Sequence, residues 1–182
     1  MSFLEGLGAD ATLLDVYRRH PALARHVLGL AQAAFALTDE LSRAECELVG
    51  AYASALNGCA YCRGVHGEAA AACGLGHATQ ERAAGEIAAY GGARWAPVFA
   101  YVRKLTLEPH AVAAGDVAAL RREGWSEACV VQLAALCGLF GVLNRLVDGL
   151  GLAAGEEFYR RAGQRLASIG YDGTAELLGV AG

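Results

Sequence analysis

Within residues 47–66 stand four side chains whose types and spacing suit thiol redox chemistry: Glu47, Cys59, Cys62 and His66. The thiolate is the reactive form of cysteine, and a free thiol ionises only near pH 8.5 or so. A neighbouring base or a helix N-terminus favours that ionisation. Attack on a peroxide gives a sulfenic acid, and a second thiol close by condenses with it to a disulfide. On a helix, Cys59 and Cys62 are three residues apart and Cys62 and His66 four apart, so all three share a face. A Cys59–Cys62 disulfide is feasible at a helix start. The helix dipole favours the thiolate at Cys59, whereas proton transfer to His66 favours it at Cys62, and both assignments stand at this stage.

Glu47 needs a fold-back to reach this group. On one straight helix it lies about 18 Å from Cys59 at 1.5 Å per residue. Asn57-Gly58 is a turn signal. If two helices fold back there, Glu47 lies about 15 Å up the first arm and His66 about 12 Å up the second. The order Glu47, His66, Cys62, Cys59 then makes a path for protons from carboxylate to imidazole to thiol.

The elements that must hold this path are helical. Ser42 and Glu45 have capping-box spacing, so a helix is expected from Ser42 to about Leu56, with Leu48, Val49, Tyr52 and Leu56 on one stripe. Glu47 shares a neighbouring stripe with Ala51, Ser54 and Gly58, small enough to admit another helix. The second arm should run from Cys59 to Cys73 and end at Gly74. Upstream, residues 10–37 read as two helices split at His20-Pro21, with Leu23, Val27, Leu30 and Ala34 on a core face. Downstream, helices are expected over 79–90, 94–107, 117–122 capped by Asp116, 126–147, 153–170 and 173–179. No strand alternation is visible, so the fold class is all-α, a single domain over 1–182. A faint internal repeat is present: a shift of 84 places Ser42 on Ser126, and puts Val131, Leu143, Leu146 and Leu150 where Glu47, Cys59, Cys62 and His66 stand. The segment 125–170 reads as a degenerate second half.

Composition narrows the function classes. The chain of 182 residues is 55% hydrophobic and 19% charged, with net charge −4 and a single lysine, Lys104. No basic stripe for nucleic acid is present. No uncharged apolar run approaches the roughly 18–20 residues of a membrane span. The surplus apolar content points to a homo-oligomer. The N-terminus lacks signal-peptide character, which implies a cytoplasmic protein with reduced thiols. Cys46, Cys73, Cys129 and Cys137 then read as small buried hydrophobes. His20, His26, His77 and His110 read as solvated or capping residues, Trp95 and Trp125 as packing anchors. Asn144 and Arg145, which interrupt an apolar helix, read as a buried polar network or an interface contact. Tyr61 and Arg63 flank the site. A competing reading takes Cys59, Cys62 and His66 as Zn²⁺ ligands with Cys46 or Cys73 as the fourth, in a non-catalytic or redox-sensing oligomer.

The pattern Glu-x11-Cys-x2-Cys-x3-His resembles the core motif of the AhpD-like alkylhydroperoxidase branch of the carboxymuconolactone decarboxylase family, matching at Glu47, Cys59, Cys62 and His66. Lys104-Leu-Thr, Glu108-Pro109, Asp116 to Leu120, Gly124-Trp125-Ser126 and Asn144 to Gly149 are similar to the layout of its peroxidase-related members. The resemblance implies a helical subunit forming dimers, trimers or hexamers. It implies that Cys62 attacks a hydroperoxide, that Cys59 resolves it, and that Glu47 and His66 relay protons through water. The sequence carries no recognisable nucleotide-binding signal, so no bound cofactor is expected and electrons are expected from an external thiol or protein reductant. In the best-known members a His precedes the second Cys, where this chain has Tyr61, a change that bears on substrate and reductant preference. Decarboxylase members generally lack the Cys pair, so peroxide reduction is the expected activity.

Overall fold

The computed structural model describes residues 2–75 and 90–181. The helix expected over 79–90 and the loop histidine His77 fall almost wholly outside them. The described residues form eight α-helices: α1 Leu13–Arg19, α2 Pro21–Phe35, α3 Arg43–Leu56, α4 Ala60–Ala70, α5 Ala96–Leu107, α6 Ala114–Arg122, α7 Glu127–Gly149 and α8 Glu156–Leu177. No strand occurs among the described residues.

Local sequence sets most of the boundaries. Pro21 opens α2 directly after His20, where its missing N–H costs nothing. Ser42 caps α3: its hydroxyl accepts from the Glu45 N–H, and the Glu45 carboxylate accepts from the Ser42 N–H at 2.8 Å. Ser126 caps α7 in the same way, accepting from the Cys129 N–H. Gly91 and Gly92 both have positive φ and lead into a short 3-10 turn, so α5 starts at Ala96 rather than at Arg94. Asp116 does not cap the next helix from outside. It sits one turn inside α6 and accepts from the Ala113 N–H at 2.7 Å, while binding Lys104. The two helices expected at the C-terminus are continuous, with a kink at Gly170 (φ 71°) in place of a break.

Helix α7 is the centre of the bundle. Leu133, Leu136, Leu139, Phe140, Leu143 and Val147 are buried along it, and α2, α3, α4, α5 and α6 pack around it. Its length and hydropathy alone would suffice to cross a membrane, but half of it is buried inside this protein, as befits a core helix. Helix α8 lies across α2 and α4. The core face of α2 is Ala24, Val27, Leu28, Ala31 and Ala34, whereas Leu23 and Leu30, expected inside, are exposed. The predicted and observed stripes differ by a small rotation, and α2 packs on both α7 and α8 with three alanines, Ala24, Ala31 and Ala34, on its buried face. Trp95 and Trp125 are buried edge to face, and the Trp125 indole N–H donates to the Arg94 carbonyl at 3.0 Å.

Close approach fixes α4. A Cβ on Gly163 of α8 would lie 2.5 Å from the Glu68 Cβ and 2.7 Å from the Ala69 amide nitrogen. Only a glycine there lets the two backbones touch. The end of α4 widens into a π-type turn over Ala71–Leu75, closed by Gly74 at φ 116°.

Candidate active site

The fold-back at Asn57-Gly58 is present. Asn57 ends α3, Gly58 has φ 77°, and the Cys59 and Gly58 N–H groups donate to the Ser54 and Ala55 carbonyls at 2.9 and 3.1 Å. That pair of bonds with a left-handed glycine is a Schellman ending. It turns the chain so that Cys59 caps α4 and α3 and α4 pack along their lengths.

The hairpin joins the two arms at their polar residues. Glu47 is fully buried, and its Oε2 accepts from His66 Nδ1 at 2.7 Å. Glu47 Oε1 is buried with no hydrogen-bond partner. In the neutral imidazole that donates its Nδ1–H to this carboxylate, Nε2 carries the lone pair. The ring is held edge-on against Phe140 of α7, with centroids 4.6 Å apart. Phe140 in turn occupies the space over Gly50, where a Cβ would lie 2.0 Å from its ring.

Both thiols of the pair are buried, and all six cysteines are free. Cys62 is pushed far above the ordinary thiol range, first by its hydrogen bond with Cys59 and then by burial. The Asn144 amide opposes this by donating to the Cys62 sulfur. The same amide donates to Ser54 Oγ at 3.0 Å, and Asn144 Oδ1 accepts from Asn57 Nδ2 at 2.8 Å. Asn144 thus ties α7 to the hairpin turn and to Cys62. Of the two roles read for it in the sequence, the buried network is the one the structure contains. Arg145 takes no part; it is exposed and donates to the Gly141 carbonyl.

The flanking residues diverge. Tyr61 is buried: its hydroxyl accepts from the Leu13 N–H at 3.4 Å and its ring packs against Phe158 and Tyr159 of α8. Arg63 points to the surface. Cys46, Cys129 and Cys137 are buried thiols pushed up to about 12 by desolvation. Cys73, expected among them, is only half-buried, because the π-type turn swings it out of the core. Among the described residues no group of three His, Cys, Asp or Glu is disposed to hold a metal ion. Cys46, one candidate for the fourth ligand, instead faces the Gln132 amide.

A cavity of about 100 Å³ opens beside Cys62 and His66, between α1, α2, α4 and α8. Tyr17 and Tyr171 line it, and neither figured among the sequence candidates. Their spacing from the motif, on helices at both ends of the chain, carries no local signal.

The fold and site thus define a helical bundle with a buried dithiol beside a carboxylate–imidazole pair. Residues 21–104, which contain all four motif residues, match the model of the carboxymuconolactone decarboxylase family, and the bundle has an AhpD-like fold. A crystal structure described as an alkylhydroperoxidase AhpD core, an uncharacterized peroxidase-related protein from Ralstonia eutropha JMP134, superposes with TM-score 0.74. It is 23% identical, covering 82% of this chain and 78% of that one. An uncharacterized peroxidase-related protein from Silicibacter sp. TM1040 gives TM-score 0.74 at 20% identity, over 81% and 78% of the two chains. A protein of unknown function from Agrobacterium tumefaciens, described as a putative antioxidant defence protein AhpD, gives 0.67 at 19%, over 78% and 96%. No functionally curated protein matches the chain.

Proposed function

We propose that the chain is a thiol-dependent hydroperoxide reductase in which Cys62 attacks and Cys59 resolves. The observation that carries this reading is the buried Glu47–His66 pair, bonded at 2.7 Å, whose imidazole lines the same cavity as Cys62. A peroxidatic cysteine must lose its proton, and Cys62 holds its proton tightly in the resting dithiol. His66 Nε2 is the acceptor for that proton, through a bridging water, and the Glu47 carboxylate stabilises the imidazolium that results. The thiolate attacks the distal oxygen of RO–OH, the O–O bond breaks, and the sulfur becomes a sulfenic acid. The alkoxide takes the proton back from His66 and leaves as ROH. The Cys59 thiol then attacks the sulfenic sulfur, forming the Cys59–Cys62 disulfide and releasing water. An external dithiol or protein thiol restores the pair.

Several features support the setting. Exposed Leu23 and Leu30 on α2 and Val131 and Val142 on α7 favour a homo-oligomer. Six unpaired thiols suit a reducing cytoplasm.

The test is peptide-mapped thiol counting by mass spectrometry before and after one equivalent of hydroperoxide. Rapid loss of two thiols with a Cys59–Cys62 linked peptide is the expected result. Survival of both thiols overturns the proposal, and metal analysis of the same sample then decides whether the pair holds an ion.

A further inference from the structure

Three leucines stand seven residues apart, two helical turns, on the outside of the molecule: Leu23, Leu30 and Leu37, exposed at 37%, 44% and 40%. Leu23 and Leu30 belong to α2, and Leu37 follows directly after its cap, Ala36. Single exposed leucines are ordinary, but a row at this period is a helix face without a partner inside its own subunit. Alongside the row run His26, Gly29 and Ala33, all exposed, and a Cβ on Gly29 would meet nothing within 4 Å. The face is therefore largely apolar, shallow at its centre and open to a second helix. Its charges are divided between its ends. Arg25 is exposed near the N-terminal end of α2, and Asp39 is exposed just beyond the C-terminal end. Neither has an ion-pair partner among the described residues. A second copy of the same face, laid parallel, would set arginine on arginine and aspartate on aspartate. Laid antiparallel, it sets the basic end of each copy on the acidic end of the other.

We infer that this face of α2 is the seam of a two-fold dimer, and that its occupant is a second copy of this chain with α2 running antiparallel. Centring the pair between Ala31 and Gln32 sets Leu30 against the partner's Ala33, Leu37 against the partner's His26, and Arg25 beside the partner's Asp39. The two-fold axis repeats each of these contacts. Fifteen residues make α2 about 22 Å long, so the seam is small and the pairing depends on concentration. On the opposite side of α2, Val27, Leu28 and Ala31 wall the cavity beside Cys62, so a single helix separates the seam from the site. The seam specifies the homo-oligomer of the proposed function, and nothing in it depends on the thiol chemistry.

Sedimentation velocity of the reduced full-length protein, over a concentration series, tests the seam. A two-fold seam gives an even number of subunits. Leu30→Glu puts a carboxylate at its centre twice over, and should halve the number of subunits by weakening the association about 100-fold. Leu30 is exposed, so the substitution spares the core of the bundle, and circular dichroism checks that the fold is kept. Arg25→Glu sets a carboxylate beside the partner's Asp39 and should weaken the association about tenfold. Adding Asp39→Arg to that variant rebuilds the pair in reverse and should restore wild-type association, a rescue that a parallel pairing does not give. A protein that stays monomeric at every concentration, an assembly of odd subunit number, or one that survives Leu30→Glu overturns the inference. So does a double charge reversal that associates no better than Arg25→Glu alone. Disulfide formation at Cys59 and Cys62 by hydroperoxide, followed on the same samples, bears on the proposed function alone. A monomer that forms the disulfide keeps the function and loses the seam, and an α2-dependent dimer with inert thiols keeps the seam and loses the function.

Discussion

Replacing Asn144 by leucine should make Cys62 a poorer nucleophile while leaving the bundle folded. The amide makes three contacts: to Ser54 Oγ at 3.0 Å, from Asn57 Nδ2 at 2.8 Å, and to the Cys62 sulfur. Two neutral hydrogen bonds contribute about 1 kcal/mol each, so the loss of stability is about 2 kcal/mol. Asn57 is half-exposed and can turn to water, and Ser54 can donate to the carbonyl one turn back, which holds the loss near that figure. For a chain of this length that lowers Tm by about 4–8 °C. The contact to sulfur matters differently. A hydrogen bond to a charged group is worth about 1.5–3 kcal/mol, which is roughly 10- to 150-fold in the thiolate population. The more basic thiolate that remains is intrinsically more nucleophilic, which recovers nearly half of that effect on a logarithmic scale. Alkylation of Cys62 by iodoacetamide at fixed neutral pH should therefore slow roughly 4- to 15-fold. The assay is peptide-resolved mass spectrometry across a pH series, with alkylation of Cys73 as the internal control. An unchanged Cys62 profile in a folded N144L protein would refute the argument that Asn144 acts on the sulfur.

Other outcomes are expected on the same reasoning. Glu47→Gln keeps the shape but removes the charge, and should slow disulfide formation by peroxide about 10- to 100-fold near neutral pH, the range typical for loss of a histidine's orienting partner; stopped-flow rates equal to wild type would remove Glu47 from the relay. Cys59→Ser should leave a sulfenic acid trappable by dimedone at Cys62, and labelling at another cysteine would count against the pairing. Gly163→Ala should destabilise by about 1–3 kcal/mol because the new methyl meets the α4 backbone, whereas Gly138→Ala, with nothing within 4 Å, should stabilise by about 0.5–1 kcal/mol; thermal melts of the two should move in opposite directions. Cys46 and Cys137 are raised from 9.0 to about 12 in the folded protein, so the unfolded chain loses their protons first as pH climbs. Their contribution is intact below pH 9 and declines between pH 9 and 12 by up to about 1.4 kcal/mol per thiol per pH unit. Melting temperature should fall through that window, and replacing both thiols by alanine should flatten the fall.

The hairpin and the placement of its four motif residues were legible because their signals are local. Ser42 with Glu45 marks one helix start, Asn57-Gly58 marks the reversal, and the spacing of Cys59, Cys62 and His66 follows from helical period alone. Where the sequence misled, the deciding contact was distant. Leu23 and Leu30 have the period of a core stripe, yet α2 turns its alanines inward because α7 and α8 both press on it. Asp116 has the chemistry of a cap, but Ala113 takes that position and Asp116 reaches back from the first turn while holding Lys104. Cys73 lies on the helical face of the buried set, and only the widening of the chain after Ala70 moves it outward. Asn144, Tyr17 and Tyr171 come to the site from helices far from the motif in sequence, and no pattern inside any one of those helices signals their convergence.

The Schellman turn at Gly58 also bears on the order in which the site is built. Glu47 and His66 are 19 residues apart, and their joining closes only a short loop. Such local contacts cost little chain entropy and form early in folding. Asn144 and Tyr171 must come from much farther along the chain. A nascent chain that has only its first half free of the ribosome can already pair the imidazole with its carboxylate, while Cys59 and Cys62 lack the cover of α7 and α8. The cover over the two thiols thus comes from helices that are the last to be synthesised.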